Sequence, residues 1–469
     1  MDSQQEAIRS LAGVRDNAFW LDTDEIPSFR PSLGHHVDVD LAVVGAGFLG
    51  LWTAILAKQR FPTWEVALVD AGRVGFGASG RNGGFVDASL THGLENGLRR
   101  WPDEMQELER LGGDNLQAIS EFVVDHQIEC DLNFSGAIEV ATESWHLDGL
   151  EEFAQSARRF GHEVEVLDQQ HAQELIHSPR FLGGLLTKNR TALVNPAKLA
   201  WGLARVASSL GVTIYEGTMV TGVQARGGMI DLSTPQSGSL RAAKVVLATN
   251  AFPPLIPGVR SFVVPVYDYV LMTEPLTASQ LEAIGWSGRH GLSDLGNLFH
   301  YSRLTHDNRI LWGGYDAIYH FGSRVSSAYR LRRETHLLLA RHFFDTFPML
   351  AGVRFSHAWG GAIDTSTRFS MFFGSRYQGK VHYALGFTGL GVGATRFAAQ
   401  VLCGRLEPRD TPFERLGLVR TKPVPFPPEP LRSLSIAVTR RSLMWADSHE
   451  GHRNRWLRTL DHFGIGFDS

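Results

Sequence analysis

Apolar residues first crowd together at 39–44. Val39, Leu41, Ala42, Val43 and Val44 stand there with a single aspartate among them, the density of a strand buried on both faces. Glycines interrupt the run at 45–50, helical spacing resumes at 49–60, and a second buried strand follows at 65–70. Strand, glycine turn, helix and strand make a complete βαβ unit. Ahead of it, residues 1–37 read as a leader with a short helix and an extended stretch around Pro27 and Pro31. Residues 95–190 are more polar; the spacing predicts helices at 104–111 and 115–126 and a strand at 137–141. Asn195 and Pro196 suit the cap and first position of a helix that should end at Gly211. Strands follow at 212–216, 219–224 and 244–248. From 262 to 319 short strands alternate with turns, the pattern of an antiparallel sheet. A strand at 382–386 leads through glycines into a helix reaching Leu402. Five prolines in 423–430 mark an extended linker, and 431–463 carry helical spacing again.

Composition narrows the classes. Lys and Arg total 45 against 49 Asp and Glu, for a net charge of −4, so no basic surface invites nucleic acid. Cys130 and Cys403 are the only cysteines and share no metal-ligand spacing, which argues against a disulfide framework and a zinc site. No metal is expected, and a reducing cytoplasm suits the chain. No stretch approaches 18 uninterrupted apolar residues, so no transmembrane segment is expected. The N-terminus lacks the basic start and apolar core of a secretory signal.

The turn Gly45-Ala46-Gly47-Phe48-Leu49-Gly50 fits the dinucleotide fingerprint. Its first Gly permits the tight turn, its second lets backbone approach a pyrophosphate, and its third lets helix and strand pack closely. Asp70 ends the next strand, where a carboxylate can accept hydrogen bonds from ribose hydroxyls. A second glycine cluster follows at 75–84. No core helix can be built from it, because each Gly costs about 1 kcal/mol in a helix relative to Ala. It is therefore an ordered loop, and a flat ring lying against its backbone would offset the entropy of ordering it. A third cluster, at 386–393, lies between a strand and a helix.

The run 70–84 resembles the second FAD-contacting segment of the D-amino-acid oxidase superfamily. Its Ser-Gly-Arg-Asn-Gly-Gly form is similar to the γ-glutamylputrescine oxidoreductase-like branch. The resemblance spans residues 37–406 and implies an α/β fold. A Rossmann-type FAD domain would be assembled from 38–94, 190–264 and 355–410. A substrate-binding domain on a largely antiparallel sheet would use 95–189 and 265–354. Residues 411–469 would be a Pro-rich linker and helical tail. Asp70 and Ala71 would begin the loop, and Ala78, Ser79, Gly80, Arg81, Asn82, Gly83 and Gly84 would pass the pyrophosphate and flavin ring. Arg81 could instead be a surface charge. Val220 resembles the position whose backbone meets adenine. Thr249 and Asn250 end a strand that closes the FAD domain, and Gly361 lies where the chain returns to it. Thr388, Gly389, Leu390, Gly391 and Val392 would face the flavin's pyrimidine edge, where a helix N-terminus stabilises negative charge on reduced flavin. Many relatives carry His where this chain has Leu390. Relatives that link flavin to His carry it in the second loop, and none lies between Asp70 and Gly84. Cys403 sits late in a helix, so the implied FAD is non-covalent.

The strands at 265–270 and 299–303 resemble those that roof the flavin. Alternation places Tyr267 and Tyr269 on one face and Asp268 on the other, and Tyr301 with Arg303. Arg303 is the nearest match to a carboxylate-binding arginine of amino-acid oxidases; the alternative is an ion pair with Asp307 or Asp316. Tyr267 and Tyr301 could cage an amine or serve as sheet packing. His357 reads as a base or a structural histidine, and Trp359 as core. The arginines of the tail suggest either a membrane-facing surface or a solvated helix face with Trp445 and Trp456 turned inward. The implied chemistry is oxidation of a C–N bond in an amine or amino acid. Hydride passes to flavin N5, the imine hydrolyses, and dioxygen or another acceptor takes the electrons. The rivals are a dehydrogenase feeding a carrier, a tRNA-modifying flavoenzyme whose basic surface is missing, and a non-enzymatic FAD-binding subunit.

Overall fold

A computed structural model describes residues 3–235, 238–407 and 411–465. The dense apolar run becomes the strand His36–Val44, central in the first sheet. It pairs in parallel with Val66–Val69 on one side and Ser239–Leu247 on the other. Val212–Tyr215 and Val381–Leu385 extend the parallel core. Phe372–Arg376 adds an antiparallel edge, and Met229–Ser233 pairs antiparallel with Ser239–Leu247. Strands buried on both faces need helices above them. Phe48–Arg60, Pro196–Ser209 and Gly391–Arg405 supply that layer, and Leu51, Trp52, Leu199, Leu203, Phe397 and Val401 fill the core beneath. Asn195 caps its helix as expected, its side chain accepting the Lys198 N–H at 3.2 Å.

The second sheet has nine strands, mostly antiparallel, with Gly291–Asp294 and Ala137–Ala141 running parallel. Its longest pairing joins Val264–Thr273 to Phe355–Thr365. Phe355–Thr365 thus belongs to the second sheet, and only beyond it does the chain re-enter the first. The helix Arg333–Thr346 covers the outer face through Leu339, Phe343 and Phe347. Two expectations shift. The helices expected at 104–111 and 115–126 are one helix, Met105–Asp125, because Gly112 packs its face against the Ala88 carbonyl instead of ending it. The strand expected at 219–224 starts later, at Gly222.

The leader is not detached. Ser3–Ser10 packs on Arg333–Thr346, and the Glu6 carboxylate accepts the Gly352 N–H at 2.8 Å. Arg15 bridges the strand Phe355–Thr365, its N–H donating to the Ser356 carbonyl at 2.9 Å and its carbonyl accepting from Ala358 at 3.0 Å. The tail forms two helices, Leu431–Asp447 and Arg455–His462. Among the described residues no helix is long and apolar enough to cross a membrane.

The glycine turn leaves no room for a side chain: a Cβ on Gly50 would lie 1.8 Å from the Gly45 carbonyl oxygen. Gly50→Ala should therefore push the helix off the central strand. The expected loss is about 1–3 kcal/mol, the range for overpacking, read as a lowered thermal unfolding midpoint.

Candidate active site

The three glycine segments converge. Gly47, Phe48 and Leu49 from the first, Ala78, Ser79, Arg81, Asn82 and Gly83 from the second, and Thr388, Gly389, Leu390, Gly391 and Val392 from the third line one cavity of about 840 Å³. Two helices open onto it with no side-chain cap, at Gly47 and at Leu390. Their free N–H groups suit phosphate and a ring carrying negative charge. Ser79 joins two segments, its hydroxyl accepting the Phe48 N–H at 2.9 Å. Asn250 and Thr388, both non-glycine residues at φ 50°, line the same space, as does Gly361. Gly45, Gly50, Asp70, Ala71, Gly80, Gly84, Val220 and Thr249 stand outside the cavity wall. Gly45 and Gly50 shape the turn. Asp70 braces it, its carboxylate accepting the N–H groups of Ala46 and Gly72 at 2.7 Å each. The donor set and the side-chain-free turns fit FAD.

The loop that resembles the flavin-contacting segment is held from outside. The indole of Trp359 donates to the Arg81 carbonyl at 2.8 Å, and that of Trp20 to the Asn82 carbonyl at 2.9 Å. Asn82 ties the loop to itself through Ala78, Ser79 and Gly84. Arg81 is no surface charge: it is buried, its Nε donates to the Phe76 carbonyl, and burial, with Arg330 nearby, lowers its pKa to about 10.

Arg303 is corrected. It lies beneath the loop and does not line the cavity, with Nη1 donating to the Val194 carbonyl at 2.7 Å and, more distantly, to those of Gly84 and Gly83. It forms no ion pair with Asp307, which bonds Arg309, or with Asp316, which bonds Arg332 and Arg440. Tyr267 lines the cavity, with its ring against His320 and Tyr329 and its hydroxyl bonded to the backbone of Ser326. His357 is a structural group bonded to Asp22 and Ser356, and Trp359 is core as expected.

Tyr301 keeps its place, its ring against Gly83, where a Cβ would approach to 2.8 Å. Its hydroxyl donates to Asp268 Oδ2 at 2.5 Å. Asp268 is the acid that sequence reasoning set on the other face and passed over. Val264, Val266, Asp268 and Val270 all face the cavity. Burial pushes the Asp268 carboxyl up to about 6, although Tyr301 and the N–H groups of Tyr269 and Gly314 pull it down. Cross-strand register then puts Tyr301, Ser293 and Glu139 in one row along the cavity wall. Burial, with Asp87 and Glu95 adding repulsion, raises Glu139 to about 7. Asp364, near the end of the strand Phe355–Thr365, accepts the Gly386 N–H at 2.6 Å, and burial raises it to about 7. His92, also missed, lines the cavity; burial lowers its pKa, offset in part by a hydrogen bond to the Thr388 backbone. The signals available were the acid between two tyrosines and the acid ending a strand. Neither carries chemistry until a second layer is placed against it.

A parallel sheet with a glycine-turn βαβ unit, opposed by a largely antiparallel sheet across one cavity, defines a dinucleotide-binding flavoprotein. Residues 40–405 match the family described as DAO, FAD dependent oxidoreductase, and the chain belongs to that family. It is 28% identical to the probable oxidoreductase OrdL of Haemophilus influenzae over 403 residues, covering 84% of this chain and 88% of that one. It is 28% identical to the γ-glutamylputrescine oxidoreductase of Escherichia coli over 400 residues, covering 84% and 89%. The structure of glycine oxidase from Geobacillus kaustophilus superposes with a TM-score of 0.67 at 22% identity, covering 82% of this chain and 99% of that one.

Carboxyls whose folded pKa is raised hold protons that the unfolded chain has released between about pH 4 and 7. Stability of the flavin-free protein should thus fall as pH rises from 5 to 8, since Glu139, Asp268 and Asp364 must then ionise within the fold. Glu139→Gln should flatten that slope in thermal unfolding, and an unchanged slope would contradict it. Arg303→Met should lower the ratio of bound flavin to protein at purification without selective loss of carboxylate-bearing substrates.

Proposed function

We propose that this oxidoreductase oxidises the C–N bond of an amine or amino acid, with FAD bound non-covalently. The observation that carries the reading is the Asp268–Tyr301 pair on the sheet that faces the glycine loops. When bound between the glycine segments, FAD would supply the hydride acceptor, with dioxygen as the final electron acceptor. The chain supplies everything else. Asp268 orients the substrate nitrogen and offers it a carboxylate, while Tyr301, donating to Oδ2, fixes which oxygen stays available. The acids of the cavity favour a cation: Asp87, Glu139, Asp268 and Asp364 line it, while Arg190 is paired with Glu109, Arg440 with Asp316 and Arg453 with Asp461, and Arg81 stands on the glycine-loop side. The amine releases hydride only when neutral, so a proton must leave the nitrogen first. The imine that forms then hydrolyses in water. Non-covalent attachment is supported by the two cysteines, since burial pushes both thiols up to about 12 and Cys403 Sγ is turned to the Thr53 carbonyl. The E. coli relative's name, with its putrescine moiety, points to an amine as well.

An amine panel mixed anaerobically with the purified yellow protein should bleach the flavin for at least one member. With chemistry limiting, the rate should climb with pH through the pKa of the bound amine; a rate flat from about pH 6 to 10 would count against the reading. Asp268→Asn should reduce kcat/KM by on the order of 10²-fold, the low end for a lost acid–base group, with bound flavin retained.

A further inference from the structure

The cavity does not end within the residues that match the family. Ile436, Leu443, Trp456 and Leu460, from the two tail helices, line the same space as the glycine loops, and the family match stops at residue 405. The tail is fastened to the second sheet at several points. The Asp447 carboxylate accepts the Asn297 N–H at 2.8 Å, its side-chain amide at 2.7 Å and the Leu298 N–H at 3.2 Å. Arg440 pairs with the buried Asp316. Glu429 accepts the Tyr319 hydroxyl at 2.6 Å and the Gly322 N–H at 2.9 Å. Leu443, Ala446 and Leu457 build a small core with Leu298, against which Trp456 packs. Trp456 is fixed in turn by its indole N–H, which donates to Thr439 Oγ1 at 2.9 Å.

The two ends of the cavity differ in charge. One end, where strands of the second sheet face the glycine loops, holds Asp268, Glu139 and Asp364. On the tail side the cations are matched: Arg440 by Asp316, and Arg453 by Asp461 through two bonds. What remains there is mainly apolar wall. An ammonium or amine nitrogen is favoured at the first end, and an uncharged, apolar group at the second.

We propose that the C-terminal helix pair is the outer wall of the substrate compartment, and that Leu443 and Trp456 set the size of the apolar, non-reacting end of the amine. The inference rests on the amine reading above. Trp456 acts by occupying volume: an alanine there leaves a space that a larger substituent fills.

Amines without an α-hydrogen test the wall apart from the chemistry, because they can bind but cannot lose hydride. tert-Butylamine and 2,4,4-trimethylpentan-2-amine are titrated against the oxidised holoenzyme, and the visible flavin absorbance reports binding. Trp456→Ala should lower the Kd ratio of the larger to the smaller amine tenfold or more relative to wild type. A ratio unchanged within twofold, with flavin content and thermal midpoint preserved, would overturn the proposal. If Trp456→Ala does not retain flavin, Leu443→Ala is read in the same way. If neither amine perturbs the wild-type spectrum, the amine reading falls. The wall is then read from iodide quenching of flavin fluorescence: opening it should raise the quenching constant several-fold, and an unchanged constant would overturn it.

Discussion

A glycine-rich loop holds its own shape through little more than Asn82, and the site depends on the groups that hold it from behind. The carbonyls of Arg81 and Asn82 are taken by two buried indoles, Trp359 and Trp20, and those of Gly83, Gly84 and Val194 by the guanidinium of Arg303. These donors come from three separate places: the leader, the strand His300–Leu304 and the strand Phe355–Thr365. Each carbonyl would otherwise be a buried acceptor without a partner, at a cost of about 1–3 kcal/mol. The loop thus fixes the spacing between the two sheets, and that spacing defines the cavity. Arg303 gives its Nη1 to backbone carbonyls and so braces the loop.

The same arrangement leaves the cavity strongly asymmetric. Helix N-termini and Arg81 gather on the flavin side, while the opposing sheet offers Asp268 and Glu139. Negative and positive charge are therefore favoured by different layers of the protein. His92 lines the same space beside the turn that contains Leu390, and burial lowers its pKa.

The glycine segments were legible in the sequence because backbone that must approach a ligand closely excludes side chains, and that exclusion is written directly as Gly. The βαβ unit was legible because strands buried on both faces cannot afford polar residues. The roofing strands were legible only in part. Period-two alternation separated Tyr267 from Asp268 correctly, but a strand does not state which of its faces meets the cofactor. That depends on the helix Arg333–Thr346, which claims the tyrosine face for its own core. Arg303 shows the limit from the other side. Its face was right, yet a loop from residue 84, 219 positions earlier, lies over it. The tail's contact with the cavity was not legible, since apolar side chains such as Leu443 and Trp456 carry no motif that says what they line.

The early docking of the N-terminus has a consequence for how this protein is made. The N–H and carbonyl of Arg15 are satisfied by a strand that begins at Phe355, and Trp20 must find a loop whose other clamp is Trp359. At roughly 5–20 residues per second, the opening segment emerges from the ribosome on the order of 20–70 s before its partner strand exists. Until that strand is made, the helix Ser3–Ser10 and the turn bearing Trp20 lack their partners, so residues 3–20 present unburied apolar surface to chaperones over that whole interval.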